Sequence, residues 1–257
     1  DPKLRARLKA PARQPHYMGI DLGLVGDGTA VAIGHLEEDT IVVDLVTQIK
    51  AGEGDYEDQD RLDFDDVADW IFDLTKKFYV VEGIFDQWAG IPLEQALSKR
   101  GMGQMKSVQM SKQLTSQIFQ NFKDMMWDER LGLYDDPSPE ENGHEPYIQE
   151  ILELQAKVQS KHIITVEAPQ IQGKHDDMSD ALTRMVWLAS QQVGKQRHFA
   201  GGSSGRSSIN GVALHGGKGF AGSPRLRGGS DPRRRSTSTT NRNQKYSIRN
   251  RIAGKKR

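Results

Sequence analysis

Three groups of carboxylates along this chain have the types and spacing that could hold divalent cations. Asp21 lies in Tyr17-Met18-Gly19-Ile20-Asp21-Leu22-Gly23, inside an otherwise apolar, strand-like run. An ionised carboxylate in such a setting is costly unless a cation or hydrogen-bond donors meet it. The amides of the turn at Gly26, Asp27 and Gly28 are one way to satisfy it, and a metal is another. A second group lies in the run from Phe78 to Trp88, where Glu82, Ile84 and Asp86 share one face because strand side chains alternate. Asp86 closes that strand at its carboxyl end, where α/β sheets carry their sites, although a turn or N-cap role there would also explain an Asp. The third group, Lys174-His175-Asp176-Asp177-Met178-Ser179-Asp180-Ala181, opens a helix. Asp177 and Asp180 are three apart and share a helical face, while Asp176 could cap the helix or turn inward. Acids at a helix start also complement its dipole, so this group alone is ambiguous.

Taken together, the three groups describe one chemistry. A strand Asp, an acid ending a later strand and acids opening the last helix would converge on two divalent cations roughly 3.5–4 Å apart, stabilising the attacking and leaving oxygens of a phosphodiester. Hard oxygen ligands select Mg²⁺ or Mn²⁺. The candidate metal ligands are Asp21, Asp86, Asp177, Asp176 and Asp180, with Asp21 expected to bridge both ions and Glu82 and His175 as secondary candidates. With no cysteine in the chain, thiolate sites and thiol nucleophiles are excluded, and any metal must be held by oxygen or imidazole.

The elements that must position these acids follow from periodicity. Runs at 17–24, 29–36 and 40–48 are β-rich and separated by short turns, predicting an antiparallel meander. Asp63 is placed to cap a helix whose apolar positions Phe64, Val67, Ile71 and Leu74 keep helical spacing. A strand at 78–86, a helix at 92–100, a strand at 106–109 and a helix at 112–129 follow. Helix 145–159, strand 162–167 and a closing helix from 176 to 192 complete the pattern. Three antiparallel strands followed by alternating β/α units predict an α/β fold with a ribonuclease H-like mixed sheet flanked by helices.

Charge divides the chain further. The totals balance at 35 basic and 35 acidic residues, yet residues 194–257 carry 16 Lys or Arg against the single acid Asp231. That segment also holds 12 glycines and no sustained apolar period, so it reads as a disordered basic tail able to bind DNA phosphates through Arg233, Arg234 and Arg235. Residues 1–16, with three prolines, read as a linker, which leaves 17–193 as the folded domain. No apolar run is long enough to span a membrane.

The residues Gly19-Ile20-Asp21-Leu22-Gly23, Phe85-Asp86-Gln87-Trp88 and His175-Asp176-Asp177-Met178-Ser179-Asp180-Ala181 resemble the nuclease domain of large terminase subunits, the DNA-packaging motors of tailed bacteriophages. The resemblance spans roughly 17–189. It implies a two-metal endonuclease cutting double-stranded DNA in the host cell cytoplasm, with Asp21, Asp86 and Asp177 as the catalytic acids. It also implies an N-terminal ATPase domain on the same polypeptide, and a portal and small terminase subunit as partners. No G-x-x-x-x-G-K-[ST] occurs, so this stretch should not itself hydrolyse ATP. Lys174, Lys106 and Lys112 are candidate phosphate contacts.

Other readings remain open at this stage. The Gly19–Gly23 segment is also similar to the first phosphate segment of actin-like ATPases, though the chain is short for that fold. A Holliday-junction resolvase or integrase-like nuclease shares the expected fold. A noncatalytic module binding DNA or portal through the tail is the third reading.

Overall fold

The computed structural model describes residues 4–87, 90–136, 143–160, 163–171 and 173–193. The tail 194–257, with Arg233, Arg234 and Arg235, lies outside the described residues.

Strands β1 (Pro15–Asp21), β2 (Thr29–Glu37) and β3 (Thr40–Ile49) form the expected antiparallel meander. Strand β4 (Tyr79–Asp86) then pairs parallel with β1, and β5 (Met105–Val108) parallel with β4. The sheet order is β5-β4-β1-β2-β3-β6, where the short β6 (Leu131–Gly132) adds in parallel to the outer edge of β3. This is the ribonuclease H-like mixed sheet that the strand pattern predicts.

Helices cover both faces because the inner strands are apolar on both sides. Helix α1 (Phe64–Lys77) begins where the side chain of Asp63 accepts hydrogen bonds from the amides of Asp65 and Asp66, the cap anticipated from the sequence. With α2 (Gly90–Lys99) it buries Val67, Ile71, Leu74, Leu93 and Leu97 against Met18, Ile20, Val31 and Ile33. On the other face lie α3 (Lys112–Trp127), α4 (Pro146–Glu153) and α5 (Asp177–Ser190). Phe122, Tyr147, Leu182, Met185 and Val186 form that core with Tyr17, Ala30 and Ala32. Each such fully buried side chain contributes about 1.5–3 kcal/mol.

Two expectations need correction. The helix predicted over 145–159 stops at Glu153, and Gln155–Ser160 becomes a strand, β7, paired antiparallel with β8 (Ile163–Glu167). This hairpin is a separate two-stranded sheet and not part of the main one. Gln155, Ala156 and Lys157 are adequate helix formers, so local propensity does not choose between the states; cross-strand pairing does. The N-terminal segment read as a linker is tied to the sheet: the Arg7 amide donates to the Asp44 carbonyl at 2.7 Å, and the Ala10 amide to that of Lys77 at 3.1 Å.

Helix α5 lies directly on β1 because residue 19 is Gly. A Cβ there would sit 2.1 Å from the Ala181 carbonyl oxygen and 2.5 Å from the Met185 nitrogen, both backbone atoms of a buried helix. Gly19→Ala must therefore push α5 off the strand. Overpacking of this kind costs about 1–3 kcal/mol, occasionally more. At about 2–4 °C per kcal/mol, a fall in melting temperature of roughly 2–12 °C is expected, and an unchanged thermal midpoint would contradict this packing.

Candidate active site

The β1–β4 ladder brings the first two acids to one edge of the sheet. Tyr17 stands opposite Glu82 and Gly19 opposite Ile84, with a register break below them at Val81. Continuing along both strands reaches Asp21 and Asp86, the last residues of β1 and β4. Glu82 shares the face but stays four residues back, about 13 Å at strand rise, and so is not brought to the cluster.

The third contribution comes from α5, which crosses the same face. The guanidinium of Arg184, almost fully buried, donates from Nη1 to Asp21 Oδ1 at 2.5 Å and to the Ile20 carbonyl at 2.6 Å. Its Nη2 donates to Asp180 Oδ2 at 2.9 Å, one helical turn earlier. Asp86 adds its negative charge to those acting on Arg184. One cation thus links the strand acid to the helix acid.

Asp177 is buried on the first turn of α5, and its Oδ2 accepts a hydrogen bond from the Gly28 amide at 3.0 Å. Burial pushes its carboxyl up to about 6 against the lowering effect of the Gly28 bond, with the charges of Asp21 and Asp27 adding to the rise. Asp180 is also raised, by burial first and by Asp21, Asp176 and Asp177, despite the opposing pull of Arg184. Asp176 points elsewhere: its side chain accepts from the Ala168 amide at 3.0 Å and does not cap the helix. His175 Nδ1 lies 3.6 Å from Asp27 Oδ1 in the β1–β2 turn. Lys174 pairs with Glu153 at 2.5 Å, while Lys106 on β5 and Lys112 at the start of α3 are exposed.

These residues fit hard divalent cations. The donors are carboxylate oxygens, and Asp21, Asp86, Asp177 and Asp180 bring four acids together against the one guanidinium of Arg184, while burial first and neighbouring charge second raise the carboxyls of Asp177 and Asp180. Any Mg²⁺ or Mn²⁺ here would be held by Asp21, Asp86 and the acids of α5.

Two contributors escape a sequence reading. Arg184 lies in the apolar run of the closing helix, where i,i+4 spacing from Asp180 was the only local signal. Glu150 on α4 caps α5 from outside: one carboxylate oxygen accepts from the Ser179 amide at 2.8 Å, across 29 residues of sequence. Burial drives the Glu150 carboxyl up to about 8, opposed by its bonds to the α5 amides and reinforced by Asp177. Glu150→Gln keeps an acceptor for Ser179 and removes the charge. The variant is expected to match the wild type near pH 5 and to melt a few degrees higher at pH 9; thermal melts at the two pH values check this.

A second cluster of ligand types exists among the described residues: His16, His35 and Asp44, all buried, with ligand atoms within 4.8 Å of one another. His16 is five residues back from Asp21 along β1, about 16 Å at strand rise. Its ring packs on Phe78 in the core beneath α1 and α2, on the face opposite Arg184. This cluster is not part of the carboxylate site.

No protein-family model and no curated protein matches the chain. Solved structures do. The large terminase nuclease from thermophilic phage G20c superposes with a TM-score of 0.54 at 13% identity, over 69% of this chain and 83% of that one. Its form with bound magnesium gives 0.53 at 14% identity, over 70% and 84%. The HK97 bacteriophage large terminase gives 0.56 at 14% identity, over 72% of this chain but only 41% of that longer one. At these identities the likeness is one of fold, and the fold is that of large-terminase nucleases.

Proposed function

We propose, from a fold shared with large-terminase nucleases and an acid cluster at its strand ends, that this chain is a metal-dependent endonuclease cutting double-stranded DNA during viral genome packaging. The observation that carries the reading is the Arg184 bridge, in which Asp21 of β1 and Asp180 of α5 meet one cation at 2.5 and 2.9 Å with the charge of Asp86 acting on it. Acids from three elements separated widely in sequence are gathered there around positive charge.

Asp21, Asp86 and Asp177 are the acids assigned to two Mg²⁺ or Mn²⁺ ions, with Asp180 beside them. The ions, when bound, supply positive charge to the attacking and leaving oxygens of the scissile phosphodiester. Arg184 orients Asp21 and fixes it to the helix. Gly28 fixes one oxygen of Asp177, and Glu150 anchors the α5 terminus that presents it. Asp176 ties the end of β8 to the start of α5 and acts by positioning. Lys106, Lys112 and Lys174 are assigned to DNA phosphates, as are Arg233, Arg234 and Arg235 of the tail. An ATPase domain on the same polypeptide, the portal and the small terminase subunit are the expected partners, in the host cytoplasm. Among the described residues no helix is long and apolar enough to cross a membrane.

Incubation with plasmid DNA, a four-way junction or ATP, each with Mn²⁺ or EDTA, tests the reading. Plasmid cutting that needs Mn²⁺ supports it. Cutting confined to the junction would replace it with a resolvase on the same fold, and binding without cutting by a noncatalytic module.

A further inference from the structure

The His16, His35 and Asp44 cluster is built in a way the nuclease reading does not use. His16 is fully buried, and its Nδ1 lies 2.7 Å from the Gln14 carbonyl, which can only accept. The ring hydrogen of a neutral His16 therefore sits on Nδ1, and Nε2 turns a bare lone pair inward. That Nε2 has no hydrogen-bond partner and faces Asp44 Oδ2 at 3.4 Å. Two acceptors pointing at one another inside a core are satisfied either by a shared proton or by a metal cation between them.

The neighbours are arranged to match. His35 presents Nδ1 to the same Asp44 oxygen at 2.5 Å, and its other nitrogen meets Glu37 Oε1 at 3.0 Å. Each imidazole thus has one nitrogen directed at the common centre and the other held by a carbonyl or a carboxylate. That is the outer-shell pattern by which metal-binding histidines are oriented. Asp44 itself is the extra residue of a β-bulge: Ile33 pairs with Leu45 and Gly34 with Val43, leaving Asp44 outside the register. Bulges re-aim side chains, and this one turns Asp44 toward both histidines. Arg7 Nη1 holds the second Asp44 oxygen at 3.0 Å, so the N-terminal segment closes over the cluster.

We propose that His16 Nε2, His35 Nδ1 and Asp44 Oδ2 form a second metal site, distinct from the acid cluster, that takes one Zn²⁺-like transition cation and pins the N-terminal segment to the sheet. Imidazole with a single carboxylate selects Zn²⁺ or Co²⁺ over Mg²⁺. Ligand bonds of about 2.0–2.2 Å require the His35–Asp44 contact to open slightly, leaving a fourth tetrahedral position. Binding replaces the proton on His35 Nδ1, so affinity falls as pH falls.

The full chain carrying Asp21→Asn, chosen on the proposed function to weaken metal uptake at the acid cluster, is stripped with EDTA, loaded with Co²⁺ and passed through gel filtration. One equivalent of Co²⁺ should be retained, with visible absorption of a low-coordinate nitrogen and oxygen site, and one equivalent of Zn²⁺ should displace it. His16→Gln added to this chain should abolish retention. Glu37→Gln, at an exposed side chain that does not threaten folding, should weaken binding about ten- to hundredfold by freeing the His35 ring. The proposal is overturned if the stripped protein retains no Co²⁺ or Zn²⁺, which would assign the cluster to a bound proton. Retention and affinity unaltered by Glu37→Gln, or by His16→Gln where that variant folds, would overturn it equally.

Discussion

Asp21→Asn is expected to lower Mn²⁺-dependent plasmid cleavage by about a thousandfold, since bound cations supply several kcal/mol of transition-state stabilisation and each 1.36 kcal/mol is a factor of ten. Asn is the informative replacement because Arg184 is buried and bonded to this side chain. Ala would leave part of a buried guanidinium unpaired and mix a folding defect into the result. Asn keeps an acceptor oxygen for Nη1 and removes the charge. The circular dichroism spectrum should be unchanged and the melting temperature close to that of the wild type, while cutting measured over a range of Mn²⁺ concentrations stays near background. Wild-type rates in this variant would remove Asp21 from the catalytic set, whatever the fate of Asp86 and Asp177.

The second large effect is on stability. In metal-free protein the melting temperature should fall as pH rises from 5 to 8, opposite to the behaviour of a protein held together by paired carboxylates. Asp177 has its carboxyl raised to about 6 by burial. A group raised on folding contributes stability fully below its unfolded value and loses that contribution as pH climbs through the folded one. Of a rise of roughly two pH units at 1.36 kcal/mol each, about one is lost below pH 5, so the loss attributable to Asp177 between pH 5 and 8 is about 1.4 kcal/mol. At about 2–4 °C per kcal/mol this is roughly 3–6 °C. Glu150, raised to about 8, extends the fall toward higher pH. Mn²⁺ should reverse it, because only ionised acids bind: at a hundredfold excess over Kd the gain is about 2.7 kcal/mol near pH 8 and far less near pH 5. Asp177→Asn should flatten the metal-free curve between pH 5 and 7. A melting temperature that rises over this interval without metal would show that the helix acids are not buried as the structure has them.

Much of the fold was legible because it rests on local patterns. The β-rich runs at 17–24 and 29–36, the Asp63 cap and the apolar spacing of Val67, Ile71 and Leu74 are properties of short windows, and the corresponding elements form where those windows predict. Strand β8 forms where the run at 162–167 predicts it, but its partner β7 was not legible, because Gln155–Ser160 has exposed side chains throughout and carries no burial signal. The candidate site divides in the same way. Asp21, Asp86 and the acids of α5 could be singled out from their places at strand ends and a helix start. Their partners could not. Glu150 reaches Ser179 from another helix, and His16, His35 and Asp44 meet only because β1, β2 and β3 are neighbours and a bulge turns Asp44 inward.

Asp176, Asp177 and Asp180 illustrate where the division falls. Their spacing alone determined that they open a helix and that Asp177 and Asp180 share one of its faces, since helical geometry repeats within a few residues. Which acid faces Asp21 was decided only when Gly19 let α5 settle on β1 and Arg184 bridged 163 positions of sequence to reach Asp21. Asp180 then fell to the guanidinium, Asp177 to Gly28 and Asp176 to Ala168. The physical reason is one of range: backbone periodicity and capping act between neighbours in the chain, whereas the pairing of buried charges depends on which distant surfaces pack together and leave no water between them.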